Sequence, residues 1–367
     1  MKDYKILFPN LNALRFVAAL MVVIHHIEQF KDVFHLPNNW SHTIIFNIGK
    51  LGVVLFFSLS GFLITYLLLI EKKMAGTVSV GSFYMRRILR IWPLYFLIII
   101  IAIFLLPFIP AFQIPGSELI HDNLFKKVLL FVFFLPNLLL AVYNPIPFAA
   151  QTWSIGTEEQ FYLFWPWIFK VPINKYVALL VVIVGYIVVD YMLNFLPDGQ
   201  YVYYLKHFWQ YFRIDCMAIG GLFALLFYYR VKSILSFFYN RIVQISVWII
   251  TPAMMFFVNN YDVFAVLFSI IIVNLATNKK RIFNIENPAT DYLGKISYGL
   301  YMYHPIAIVL CLQTLLYFKL YNNIALYILS LLCTIGFSAA SYRYFEKPFI
   351  RMKTKFSKIV SGENAKA

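Results

Sequence analysis

Charge is what this chain has least of. Only 13% of its 367 residues are charged and 62% are hydrophobic, whereas a soluble domain is roughly one quarter charged. That excludes an ordinary soluble domain and marks a polytopic membrane protein. Acidic residues are the scarcer sign: 16 Asp and Glu face 31 Lys and Arg, for a net charge of +15. The basic residues are scattered over short loops between apolar spans rather than gathered in one patch. They read as orientation signals and as contacts for anionic headgroups or substrates, with no nucleic-acid partner expected. Cysteine is also rare. Cys216, Cys311 and Cys333 lie in apolar stretches without paired spacing, so neither a disulfide framework nor a zinc site follows, and no metal is expected. No small-residue cleavage site follows the first apolar stretch, which is read as a retained span. No internal repeat, low-complexity linker or G-x-S-x-G nucleophile elbow is found.

Aromatic residues are plentiful: 38 Phe, 26 Tyr and 7 Trp fit belts repeated at many helix ends. Apolar spans are read at about 12–27, 51–70, 91–109, 127–142, 156–169, 176–194, 213–228, 242–258, 263–277, 296–318 and 324–345. Backbone polar groups in lipid must be satisfied within helices, so the expectation is one all-α transmembrane bundle over residues 1–350. A short basic tail, residues 351–367, follows it. Lysine and arginine place both termini in the cytoplasm, with the Lys31 loop and the segment near Asn144 outside. One conflict arises: Lys126 and Lys127 ask for the inside just where span 91–109 should have ended outside. Pro107, Pro110 and Pro115 break that region. About ten crossings with a possible re-entrant or partial helix within 91–125 resolve it.

Four stretches carry polar residues into apolar surroundings. The first is LNALRFVAALMVVIHHI, residues 11–27. An intramembrane Arg or His is costly and is a functional-site hypothesis by default. Arg15 and His26 are 11 positions apart, which on a helix brings them to within about 20° of one face and about 16 Å along the axis. His25 falls about 80° off that face. The bland alternative has Arg15 snorkelling to the headgroups and the histidines ending the helix. In the second, GKLGVVLFFSLSGFLIT, residues 49–65, the small residues Gly49, Gly52, Ser58, Ser60 and Gly61 read as a close-packing face. The third, SFYMRRILRIWPLY, residues 82–95, sets Arg87 and Arg90 on one helical face immediately cytoplasmic of a span, with Arg86 beside them. Paired guanidinium forks suit a phosphate or diphosphate, and a positive-inside anchor accounts for the charge equally well. In the fourth, QTWSIGTEEQFYLFWP, residues 151–166, Glu158 and Glu159 stand at the mouth of a span. A carboxylate there must be paired, hydrated or used, and Glu158 is a candidate to orient a histidine. Arg213 and Asp215, two apart, each call for a partner across the bundle, and His304, Arg343 and Glu346 read as caps or pairs.

Assembled in order, these stretches resemble the integral-membrane acyltransferase family 3, bacterial O-acyltransferases that modify exported glycans and lipids. The likeness runs from about Leu11 to Pro348. An arginine, ten residues, then a histidine is the family's opening motif and selects His26 over His25. GVVLFFSLSGFLI is similar to its second block, and Arg87 and Arg90 with Pro93 and Tyr95 fit its Arg-x-x-Arg block. Trp153, Ser154, Glu158, Phe161 and Tyr162 fit its tryptophan-serine block. FRIDCMAIGGLFALL, LGKISYGLYMYHP and YFEKPF resemble later ones. Gln151 stands where many members carry histidine, and Ile155 replaces the usual leucine. The resemblance implies transfer of an acyl group, usually acetyl, from acetyl-CoA or another acyl-CoA to a hydroxyl of a saccharide or glycolipid acceptor beyond the membrane. His26, Arg15 and Glu158 would be its catalytic residues, Arg87 and Arg90 its acyl-CoA anchors, and Trp153, Ser154 and Tyr162 acceptor-side or supporting residues. No bound cofactor is implied beyond the donor itself.

The chemistry agrees with that implication. An alcohol needs a base near pKa 7 to attack at neutral pH, and histidine has the fitting unperturbed value. A transporter or flippase for a glycan or lipid precursor would use the same buried polar residues, but duplicated halves with interrupted helices are not found. The His-x4-Asp motif of glycerolipid acyltransferases is absent, since Phe30 and Lys31 stand five residues past His25 and His26.

Overall fold

In hydrocarbon a helix satisfies its own backbone, and the long apolar runs of this chain take that solution. The computed structural model describes residues 4–356 and 359–361. Its helices are α1 (Leu11–Val33), α2 (Thr43–Ala75), α3 (Val80–Phe104), α4 (Leu124–Val132), α5 (Pro136–Val142), α6 (Trp153–Lys170), α7 (Lys175–Leu193) and α8 (Gln200–Tyr211). They continue as α9 (Ile214–Tyr228), α10 (Lys232–Tyr239), α11 (Arg241–Met254), α12 (Tyr261–Thr277), α13 (Pro288–Lys295), α14 (Ser297–Tyr317), α15 (Asn323–Ser341) and α16 (Lys347–Lys353). Seven helices are long and apolar enough to cross a membrane, or eight if α10 and α11, bent by 65° at their junction, form one span. Ten was thus an approximate count.

Two three-residue strands, β1 (Tyr4–Ile6) and β2 (Ile359–Ser361), pair in parallel. That pairing brings residues 4–6 beside residues 359–361. Residues 1–3, 357–358 and 362–367, including Lys2 and part of the basic tail, lie outside the described residues.

The centre of the bundle is α2, packed along α1 on one side and α9 on the other. Glycine makes the second contact possible. A Cβ on Gly61 would stand 1.9 Å from the Met217 carbonyl oxygen, and one on Gly220 would stand 2.1 Å from that of Ser58. Close backbone approach through small residues is how membrane helices gain packing contact without a hydrophobic drive between them.

Among the spans that differ from expectation, two bear on the site, each for a physical reason. α3 starts at Val80, so the three arginines lie inside the helix and not ahead of it. It tolerates them because they face protein: Arg86 donates to Glu71 at 2.9 Å and to the Phe356 carbonyl at 2.8 Å, while its two neighbours face a cavity. The expected span 127–142 is two short helices instead. The chain turns at Phe134, whose φ is 55°, and Pro136 opens α5 at a position where its missing N–H costs no hydrogen bond. The partial helices thus fall just after the region expected to hold them; residues 106–120 form 3₁₀ turns. Lys127 is buried and donates to the Leu119 carbonyl at 2.8 Å. One of the two lysines that confuse the charge rule is therefore a structural tie.

Candidate active site

Helices α1, α2, α3, α6 and α14 enclose a cavity of about 100 Å³. Arg15, Arg87, Arg90, Ser154, Glu158 and Tyr162, six of the eight residues singled out in the sequence, all line it. α1 contributes Arg15, held at 3.0 Å by the Asn12 side chain one turn earlier, and Asn12 in turn donates to Asp291 at 2.8 Å. Arg87 and Arg90, three apart on α3, present one face to the same space. The Arg87 guanidinium lies over the Phe83 and Tyr162 rings at 5.6 and 5.5 Å, and its Nε has no hydrogen-bond partner. Among the described residues no carboxylate ion-pairs with Arg15, Arg87 or Arg90.

The carboxylate on the wall is Glu158. Ser60 donates to one of its oxygens at 3.0 Å and Tyr162 to the other at 2.8 Å. Glu158 therefore does not orient a histidine, as the sequence suggested; it is a fixed negative group facing three guanidiniums. Glu159 points away and accepts from Trp92 at 3.1 Å. Ser60, grouped with the packing residues in the sequence, belongs to the site. Trp153 lies off the cavity, edge-on to Phe57 at 6.2 Å and against Tyr211 at 5.1 Å. Ser154 is tied to the Tyr301 hydroxyl at 2.7 Å, and Tyr301 donates to the Gln151 carbonyl at 2.8 Å. Gln151 fills its place structurally, donating to the Phe148 and Met302 carbonyls at 2.8 and 3.0 Å.

His26 is not on the cavity wall. Its ring lies 4.6 Å from that of His304 on α14, and the His304 ring lies 5.9 Å from that of Tyr301, which does line the cavity. His26 Nδ1 is 2.8 Å from the Val22 carbonyl. A carbonyl only accepts, so the neutral ring carries its proton on Nδ1 and keeps the Nε2 lone pair free. His304 is fully enclosed, whereas His26 is half-buried. His25 is a packing residue. Its Nδ1 meets the Ile45 carbonyl at 2.9 Å, its ring lies 4.7 Å from that of Trp40, and Gly49 leaves it room where a Cβ would sit 2.4 Å away.

A second polar cluster lies elsewhere. Asp215, Cys216 and Asp262 bring ligand-type atoms within 4.8 Å of one another. The Arg213 guanidinium already binds both carboxylates, at 2.7 and 2.8 Å, and lies over the Tyr186 and Tyr261 rings. This is an ion-paired tie between α9 and α12. Arg213 reaches Asp215 despite the two-residue spacing because it precedes the first helical residue, Ile214. Asp262 is the partner across the bundle.

A family profile described as an acyltransferase domain matches residues 8–343. A Staphylococcus aureus (strain COL) protein named "Putative O-acetyltransferase" is 26% identical over 379 residues, an alignment covering 93% of this chain and 57% of that protein. The peptidoglycan O-acetyltransferase OatA of Listeria monocytogenes is 29% identical over 168 residues, 43% of this chain and 23% of its own length. The chain thus spans a little over half the length of the staphylococcal relative. No solved structure matches.

Proposed function

This chain belongs to the membrane acyltransferase family 3, and on that footing we propose that it moves an acyl group, acetyl in the first instance, from an acyl-CoA to a hydroxyl of a saccharide or glycolipid. The observation that carries the reading is the cavity, where three guanidiniums face one held carboxylate and, among the described residues, have no ion-pairing carboxylate of their own. Guanidinium forks suit the phosphates of coenzyme A.

The acceptor approaches from the accessible side of His26. Nε2 takes the hydroxyl proton, the oxygen attacks the thioester carbonyl carbon, the C–S bond breaks, and the departing thiolate takes up one proton. Donor and acceptor thus meet inside the bundle from opposite faces. In a cell this places the protein in the cytoplasmic membrane, with the basic loops and both termini toward the donor.

Adjacent histidines supply the test. On membranes with matched protein, labelled acetyl groups are followed into the acceptor fraction. His26→Ala is expected to lose transfer by on the order of a hundredfold or more while still accumulating. His25→Ala removes a packing contact at Trp40 and Ile45, so it should lower the amount of protein and leave the rate per molecule within a few-fold. Equal activity in His26→Ala, or a larger loss per molecule at His25, overturns the assignment.

A further inference from the structure

The imidazole of His304 has no assigned work, and its position is costly to maintain. It is 0% exposed, on a helix interior, and neither ring nitrogen makes a well-aligned hydrogen bond. The Leu300 and Tyr301 carbonyls one turn back are acceptors that one nitrogen can lean toward. At least one other nitrogen is left with nothing. An unsatisfied buried polar group costs on the order of 1–3 kcal/mol, and an apolar residue would fill the same space without that penalty.

Two contacts say where the ring acts. On one side it meets the His26 ring at 4.6 Å, and on the other the Tyr301 ring at 5.9 Å. Tyr301 reaches the Ser154 hydroxyl at 2.7 Å, and both residues line the cavity. His304 therefore stands between the base and the space assigned to the donor. Imidazole can accept a proton on one nitrogen and release one from the other.

We propose that His304 is a positioning and relay residue that carries the acceptor's proton from His26 toward the leaving thiolate. The inference rests on the acyl-transfer reading above and deepens it. The hydroxyl proton passes to His26 Nε2 and from there to a free nitrogen of His304, whose other nitrogen releases a proton toward the cavity, where the sulfur freed by C–S cleavage takes it up. One proton leaves the alcohol and one arrives on the thiol, so the step balances without any other reagent. The relay also explains how a base outside the donor cavity serves a reaction whose leaving group is inside it.

The test compares His304→Ala, His304→Gln and His26→Ala in membranes with matched protein, measuring kcat and donor KM separately with acetyl-CoA. Both His304 variants are expected to lose kcat by on the order of a hundredfold, with donor KM within twofold of wild type. Glutamine keeps hydrogen bonding and approximate volume but has no ring that can take a proton on one nitrogen and release one from the other, so it should not restore the rate. It also carries the test if the alanine variant fails to accumulate. Near wild-type kcat in His304→Gln would reduce His304 to a hydrogen-bonding filler and overturn the relay. An inactive His26→Ala beside fully active His304 variants sinks the relay alone. An active His26→Ala sinks the functional reading beneath it.

Discussion

Three arginines stand within five residues on α3, and they do two different jobs. Arg86 is consumed by Glu71 and the Phe356 carbonyl, whereas Arg87 and Arg90 turn to the cavity and, among the described residues, ion-pair with no carboxylate. Lysine would serve for orientation alone; forked donors are needed where a planar or branched anion is to be gripped. Replacing Arg87 and Arg90 together with lysine keeps the charge and loses the forks. Donor KM is expected to rise roughly tenfold, the loss of about 1.4 kcal/mol of binding, with accumulation unchanged. Unaltered donor dependence would leave these arginines as orientation signals. Arg15 and Glu158 were legible in the sequence because a charge in or at the mouth of an apolar span demands an explanation, and Arg87 and Arg90 because two guanidiniums three apart share a helical face. Ser60, Tyr301 and His304 were not: serine is ordinary at a packed membrane interface, aromatic residues abound here, and a histidine reveals its role only through the ring beside it. The spacing of Arg15 and His26 did select one face of α1, but what separates them, a cavity wall and then a second imidazole, comes from α14 and cannot be read along α1.

Among the elements, helix existence was legible and helix limits were not. Hydropathy places the start of α3 after its charges, but the helix runs through them because the protein, not lipid, surrounds those turns. Pro136 was visible in the middle of an expected span, and it does end one helix and begin another. Glycine in α2 was rightly read as a packing signal, and the structure supplies its partners, α1 for Gly49 and Gly52 and α9 for Gly61. Gly220→Ala would drive a methyl group into the Ser58 carbonyl, 2.1 Å from the new Cβ. The expected cost is about 1–3 kcal/mol or more, seen as lower accumulation and a lower unfolding temperature in detergent. Gly185→Ala is the control, since nothing lies within 4 Å of its added carbon. Equal behaviour of the two variants would mean that α2 and α9 are not in backbone contact.

For the whole molecule, the pairing of β1 with β2 brings residues 4–6 beside residues 359–361. The cavity gathers Arg15, Arg87, Arg90 and Glu158, while His26, half-buried, lies off its wall. That arrangement is the central claim: a donor site and an acceptor site that meet through the bundle from opposite sides. The direct measurement uses proteoliposomes of one orientation with a glycan acceptor enclosed, and acetyl-CoA labelled in its acetyl group supplied only outside, on the side of the chain termini. Label should appear on the enclosed acceptor, free coenzyme A should appear outside in equal amount, and His26→Ala vesicles should show neither above background. Acceptor labelling that requires acetyl-CoA inside the vesicle, or that proceeds undiminished in His26→Ala vesicles, would contradict the account.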